Sequence, residues 1–165
     1  RFHRSPDRRW WYRMGANILG RAIVYFTDSK YTHVAIYVGG YTYESTVGGA
    51  GRSPGPMECD EVWQLVTPLS EVQRVRLLFD LEDRIAESRP YNVLKLLALA
   101  LVYHTRWFWR HVGWVPFDAA RMGEVCSTMV AEALKRAGLD PFPGHLVGYI
   151  VPGDWPHSPL YRRIQ

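Results

Sequence analysis

Two stretches of this sequence carry side chains whose types and spacing could do chemistry. The first is Tyr31-Thr32-His33-Val34-Ala35-Ile36-Tyr37-Val38-Gly39-Gly40-Tyr41-Thr42-Tyr43-Glu44-Ser45-Thr46. With Gly39-Gly40 as a two-residue turn, paired positions sum to 79, so Ala35 faces Glu44 and His33 faces Thr46. Alternate strand residues share a face. His33, Ala35, Tyr37 and Glu44 then lie together, with Val34, Ile36 and Val38 opposite as core. His33 and Glu44 are diagonal neighbours, roughly 7–8 Å apart or less at Cβ, and small Ala35 does not obstruct them. A carboxylate so placed orients an imidazole and sets its tautomer. The same placement also suits an ordinary surface pair, and a turn one residue longer would put Glu44 on the other face.

The second stretch is Glu124 to Ala137, where Val125, Met129, Val130, Ala133, Leu134 and Ala137 form one apolar helical stripe closed by Gly138. Cys126 falls at the opening of that helix, where unpaired N–H groups and the helix dipole favour a thiolate. A buried core cysteine is the competing reading. Cys59, between Glu58 and Asp60, has an acidic setting that discourages a thiolate.

Other elements must position these two. The sequence predicts a helix over 10–19, strands over 21–26, 32–38, 41–46, 62–66 and 75–79, and a Gly/Pro-rich loop over 47–56. Helices are predicted over 81–88 and 91–105, and a short strand over 146–151 within a proline-rich C-terminal stretch. Strands and helices mix without βαβ alternation, which predicts an α+β fold. At 165 residues the chain is expected to be a single domain, 1–165, with residues 1–19 a basic, aromatic N-terminal extension. With 47% hydrophobic and 22% charged residues, it falls outside the disordered class. Two cysteines exclude a disulfide scaffold. No apolar run has membrane-span length, and no apolar leader follows Arg1. A chain without an initial Met is expected to be processed or trimmed. The net charge of +4 sits in scattered clusters rather than a continuous stripe, so no nucleic-acid partner is expected.

The order of these pieces resembles the circularly permuted NlpC/P60 families of the papain-like superfamily, which include YiiX/YebB-like and LRAT-like proteins. The resemblance rests on Phe26 to Gly39 with His33, on Tyr43-Glu44-Ser45, and on Val125-Cys126-Ser127-Thr128-Met129-Val130. Tyr91-Asn92 and Pro152-Gly153-Asp154 with Ser158 look like further family segments, and the likeness covers residues 20–158. It implies a permuted papain-like fold, a small antiparallel sheet packed on the cysteine-bearing helix. It also implies a thiol hydrolase in which Cys126 attacks an acyl carbonyl, His33 carries the proton and Glu44 orients His33. The Cys126 N–H is the natural oxyanion donor, with Tyr91, Tyr31 and Ser127 as candidates for the second donor or for substrate contact. By the same resemblance the substrate is an amide or peptide, in the first instance a peptidoglycan stem peptide, in a bacterial envelope or a phage tail. An LRAT-like acyltransferase or lipid amidase, and a catalytically silent subunit of a larger assembly, are the alternatives.

Gly51-Arg52-Ser53-Pro54-Gly55 has the letters of a nucleophile elbow. Pro54, however, lacks the N–H that motif needs, and Gly55-Pro56 cannot open a helix. No metal or cofactor motif is present, and His3, His104, His111, His145 and His157 are scattered. Residues 93–102 are apolar nearly all round, and Arg106 to Trp114 interleaves Trp107, Trp109 and Trp114 with Arg110. Core, a docking surface for protein subunits and a membrane-surface contact all fit that composition.

Overall fold

The computed structural model describes residues 30–46, 48–87, 125–145 and 147–164, together with Arg21, Val24 and Tyr25. The helices expected over 10–19 and 91–105, the N-terminal extension, Tyr91 and the Trp107/Trp109/Arg110/Trp114 patch lie outside the described residues.

The described chain is α+β. Strands β1 (Ala35–Val38), β2 (Tyr41–Thr46) and β3 (Gly49–Pro54) form an antiparallel sheet in that order. β4 (Trp63–Leu65) pairs with β5 (Tyr161–Arg163) in a second, two-stranded sheet. Helix α1 (Glu71–Ala86) and helix α2 (Cys126–Arg136) pack on each other, and α2 also packs on β1 and β2. Two 3₁₀ helices, Val147–Tyr149 and Pro152–His157, lead into β5.

The β1–β2 hairpin has the expected register, with Ala35 opposite Glu44 and Val38 opposite Tyr41. Gly39 and Gly40 have φ of 62° and 87°. Two successive left-handed residues are what a tight turn requires to match the strand twist. Val34, Ile36 and Val38 pack against a core of Tyr43, Leu77, Leu81, Met129, Val130 and Leu134, so the aliphatic face of the hairpin points inward as expected. The paired segment begins only at Ala35, so His33 stands just outside the ladder.

Several expected elements differ. Residues 47–56 are not simply a loop: Gly49 to Pro54 pair with β2 over their whole length, and Pro54 sits at the end of an edge strand, where a missing N–H is tolerated. Residues 75–79 are helical. A capping box at Ser70 and Gln73 opens α1, and Leu77, Leu81 and Arg84 form its buried face. The apolar residues that read as a strand, Val75 and Phe79, are on the exposed side. Arg21, Val24 and Tyr25 are helical rather than extended. Val24 and Tyr25 are exposed and bury no sheet face, without which β-propensity has little hold. Of the strand expected over 146–151, Leu146 lies outside the described residues and Val147–Tyr149 form a 3₁₀ turn, with the Ile150 carbonyl taken by the Ser127 hydroxyl at 2.6 Å.

A Cβ added at Gly39 would meet Leu78 Cδ2 at 3.2 Å, in a backbone conformation that already disfavours L-residues. Gly39→Ala is expected to lower the unfolding free energy by about 1–2 kcal/mol, as measured by urea denaturation.

Candidate active site

Glu44 sits mid-strand in β2, paired to Ala35 on one side and Gly51 on the other, so its backbone is held from both edges. Its Oε2 lies 2.9 Å from His33 Nε2. The diagonal relation expected from the turn is therefore a direct contact.

Cys126 is the first residue of α2. Val125 precedes it in extended conformation, and the first intrahelical bond runs from the Met129 N–H to the Val125 carbonyl. The N–H of Cys126 therefore comes before any intrahelical acceptor. Two hydroxyls fix this opening turn. Thr128 Oγ1 accepts the Val125 N–H at 3.2 Å, and the Ser127 hydroxyl ties the turn to Ile150. Further along, Arg136 reaches Asp80 at 2.7 Å, while fully buried Arg84 bonds Asp80 at 2.6 Å and Glu132 at 3.3 Å, clamping α2 to α1. At the far end Gly138 has φ 86°, and the N–H groups of Gly138 and Leu139 bond back to Lys135 and Leu134. This Schellman ending satisfies the last carbonyls.

The Cys126 thiol lies close enough to the His33 ring to raise its pKa. The fold thus brings together Cys126 at the opening of α2, Glu44 in β2 and His33 just before β1. Burial works against a charged imidazole here, but the hydrogen bonds to Cys126 and to Glu44 outweigh it and push the His33 pKa up to about 10. His33 in turn holds the Glu44 carboxyl below its ordinary range. Cys126 is 3% exposed, whereas the His33 and Glu44 side chains are 31% and 30% exposed. Solvent, and anything dissolved in it, reaches these groups from the imidazole and carboxylate side.

The remaining candidates are placed differently. The Tyr31 hydroxyl donates its proton to Glu61 Oε2 at 2.7 Å, so it does not stand as a spare oxyanion donor. The Ser127 side chain is buried with its hydroxyl donated to Ile150, which leaves only its backbone N–H for a ligand. Tyr91 lies outside the described residues. Asp154 accepts the Val151 N–H and Ser158 donates to the Pro141 carbonyl, so both shape the C-terminal 3₁₀ turn. Cys59 is exposed.

One group that sequence reasoning missed is Glu61, which gathers Lys30, Tyr31, Trp63 and Arg163 around its carboxylate. No periodicity or motif marks it, because its partners come from three places in the chain. Among the described residues no cluster of His, Cys, Asp and Glu is arranged to hold a metal, and no helix is long and apolar enough to cross a membrane. No family model, curated protein or solved structure matches the chain.

The raised His33 pKa sets a pH dependence of stability. The folded chain binds this proton more tightly than the unfolded chain, whose imidazole titrates near 6.5. The contribution is full below that value and is lost as pH rises toward about 10. The resistance of the parent to urea is expected to fall over this window more steeply than that of His33→Gln. Parallel curves would show that His33 is not held as its contacts indicate.

Proposed function

We propose that the chain is a cysteine-dependent hydrolase of amide bonds with a permuted papain-like fold. The single observation that carries this reading is the His33 ring, hydrogen-bonded to Glu44 and close enough to the Cys126 thiol to be raised by it. A core cysteine needs no imidazole, and a surface His–Glu pair needs no sulfur. The combination at the opening of a helix is what acyl transfer to a thiol requires.

In the proposed reaction the Cys126 sulfur attacks the amide carbon and the carbonyl π-bond opens to an oxyanion. The Cys126 N–H donates to that oxygen. With Nε2 on Glu44, Nδ1 is the ring nitrogen left to exchange a proton with the sulfur and the substrate. The protonated His33 gives this proton to the leaving nitrogen as the C–N bond breaks, which leaves a thioester and a free amine. Water then attacks the thioester while His33 takes its proton. Collapse of the second oxyanion releases a carboxylic acid and returns the sulfur to the imidazolium. Glu44 keeps the ring oriented and stabilises its charge throughout.

The substrate class follows from the family resemblance: a peptide amide, in the first instance in peptidoglycan stem peptides of a bacterial envelope, met there or from a phage tail. Incubation with purified sacculi, followed by mass spectrometry of released peptides, tests this against turnover of an acyl-lipid, the substrate an LRAT-like enzyme would consume. Cys126→Ala is expected to abolish turnover of whichever substrate the parent cleaves. His33→Ala should fall about as far, while Glu44→Gln retains a residual rate, because the three groups act as a unit and the orienting member contributes least. Full activity in Cys126→Ala would overturn the assignment.

A further inference from the structure

We propose that Glu61 is a positioning residue for His33, holding the backbone that delivers the imidazole to Cys126 through its bonds to Lys30 and Tyr31. The inference rests on the reading of Cys126, His33 and Glu44 as the reacting set.

His33 needs such a device because the β ladder does not supply one. The β1–β2 pairing ends at Ala35 and Glu44, and residues 31–34 run up to it without strand structure. A residue outside a ladder has no fixed backbone unless something else holds it, and a base misplaced by about 1 Å costs much of its rate. The nearest anchor upstream is the pair just before it. The Lys30 ammonium lies 2.7 Å from Glu61 Oε1, and the Tyr31 hydroxyl donates to Glu61 Oε2 at 2.7 Å.

Glu61 is itself anchored on the far side. Its Oε2 accepts the Trp63 indole N–H at 3.3 Å, and Arg163 lies 3.4 Å from its Oε1. Trp63 and Arg163 are directly opposite each other in the β4–β5 ladder. The Glu61 side chain is 9% exposed, so this carboxylate is largely withdrawn from water and held by its four partners. Lys30 first, then Tyr31, hold its carboxyl down to about 2, so it is ionised at neutral pH. The chain of contacts therefore runs from the second sheet, through one carboxylate, to a backbone segment two residues before His33. Arg136, Asp80 and Arg84 hold Cys126's helix in place from the other side. The two reacting groups thus each have a polar anchor of their own.

The test is the rate of iodoacetamide alkylation of Cys126 as a function of pH, resolved by peptide mass spectrometry. Exposed Cys59 serves as the reference thiol in the same molecule. Tyr31→Phe removes one hydrogen bond and keeps the ring. It is expected to slow Cys126 alkylation at neutral pH by about three- to tenfold, the worth of one such bond. It should also change the pH profile of Cys126 alkylation relative to the parent. Glu61→Ala should do more. Glu61→Gln keeps an acceptor for Tyr31 and Trp63, and should recover much of the rate that Glu61→Ala loses. Cys59 should be unaffected in every variant.

Circular dichroism verifies that each variant is folded, and if Glu61→Ala is not, Tyr31→Phe decides alone. Coincident Cys126 profiles for the parent and a folded Tyr31→Phe overturn the positioning role while leaving the catalytic set intact. If His33→Ala also alkylates like the parent, the catalytic set itself fails.

Discussion

An imidazolium withdrawn from water is unfavourable unless its N–H groups find partners of opposite charge or strong hydrogen-bonding character. For His33, β2 brings a carboxylate to the ring and the opening of α2 brings the Cys126 thiol near it. Much of the surrounding structure can be understood as what holds these two partners at the right separation. The Gly39-Gly40 turn sets the register that makes Glu44 a diagonal neighbour, and pairing with Gly51 keeps Glu44 from shifting along the sheet.

The sulfur's position depends on the packing of α2. Its apolar stripe supplies Met129, Val130, Ala133 and Leu134 to the core shared with Tyr43, Leu77 and Leu81. The hydrophobic contact is non-directional and does not by itself determine where along the helix axis the first turn ends. Directional contacts do that: Ser127 to Ile150 at one end, and the Asp80, Arg84, Glu132 and Arg136 network toward the other. Buried ions of this kind are weak evidence of stability but strong determinants of geometry once their partners are in place.

Glu61 gives the His33 side of the site a similar anchor. A glutamate that binds a tyrosine, a lysine, a tryptophan and an arginine from three parts of the chain is a junction between the second sheet and the entry to β1. In the proposed mechanism this matters because the base lies just beyond the last ladder pair, where regular secondary structure no longer constrains it.

The hairpin, its register and its inward aliphatic face were legible in the sequence, because Gly39-Gly40 and strict alternation are local signals. The start and end of α2 were legible for the same reason: the apolar stripe and Gly138 mark them without reference to the rest of the molecule. Local signals failed where an apolar run admitted two periods. Val75 to Phe79 read as a strand because apolar residues on the outer face of α1 filled in between those on the inner face, although Ser70 and Gln73 already marked a helix start. The glycine-rich β3 read as a loop because only its partner strand makes it a strand.

The diagonal placement of Glu44 beside His33 was therefore determined by sequence alone, since turn chemistry sets register. That Cys126 lies beside the same ring, that Tyr31 serves Glu61 rather than a ligand, and that Glu61 joins the second sheet to the entry of β1 were decided by tertiary structure. Those contacts join residues far apart in the chain, and no local period or motif encodes which distant side chains will share a site once the core closes.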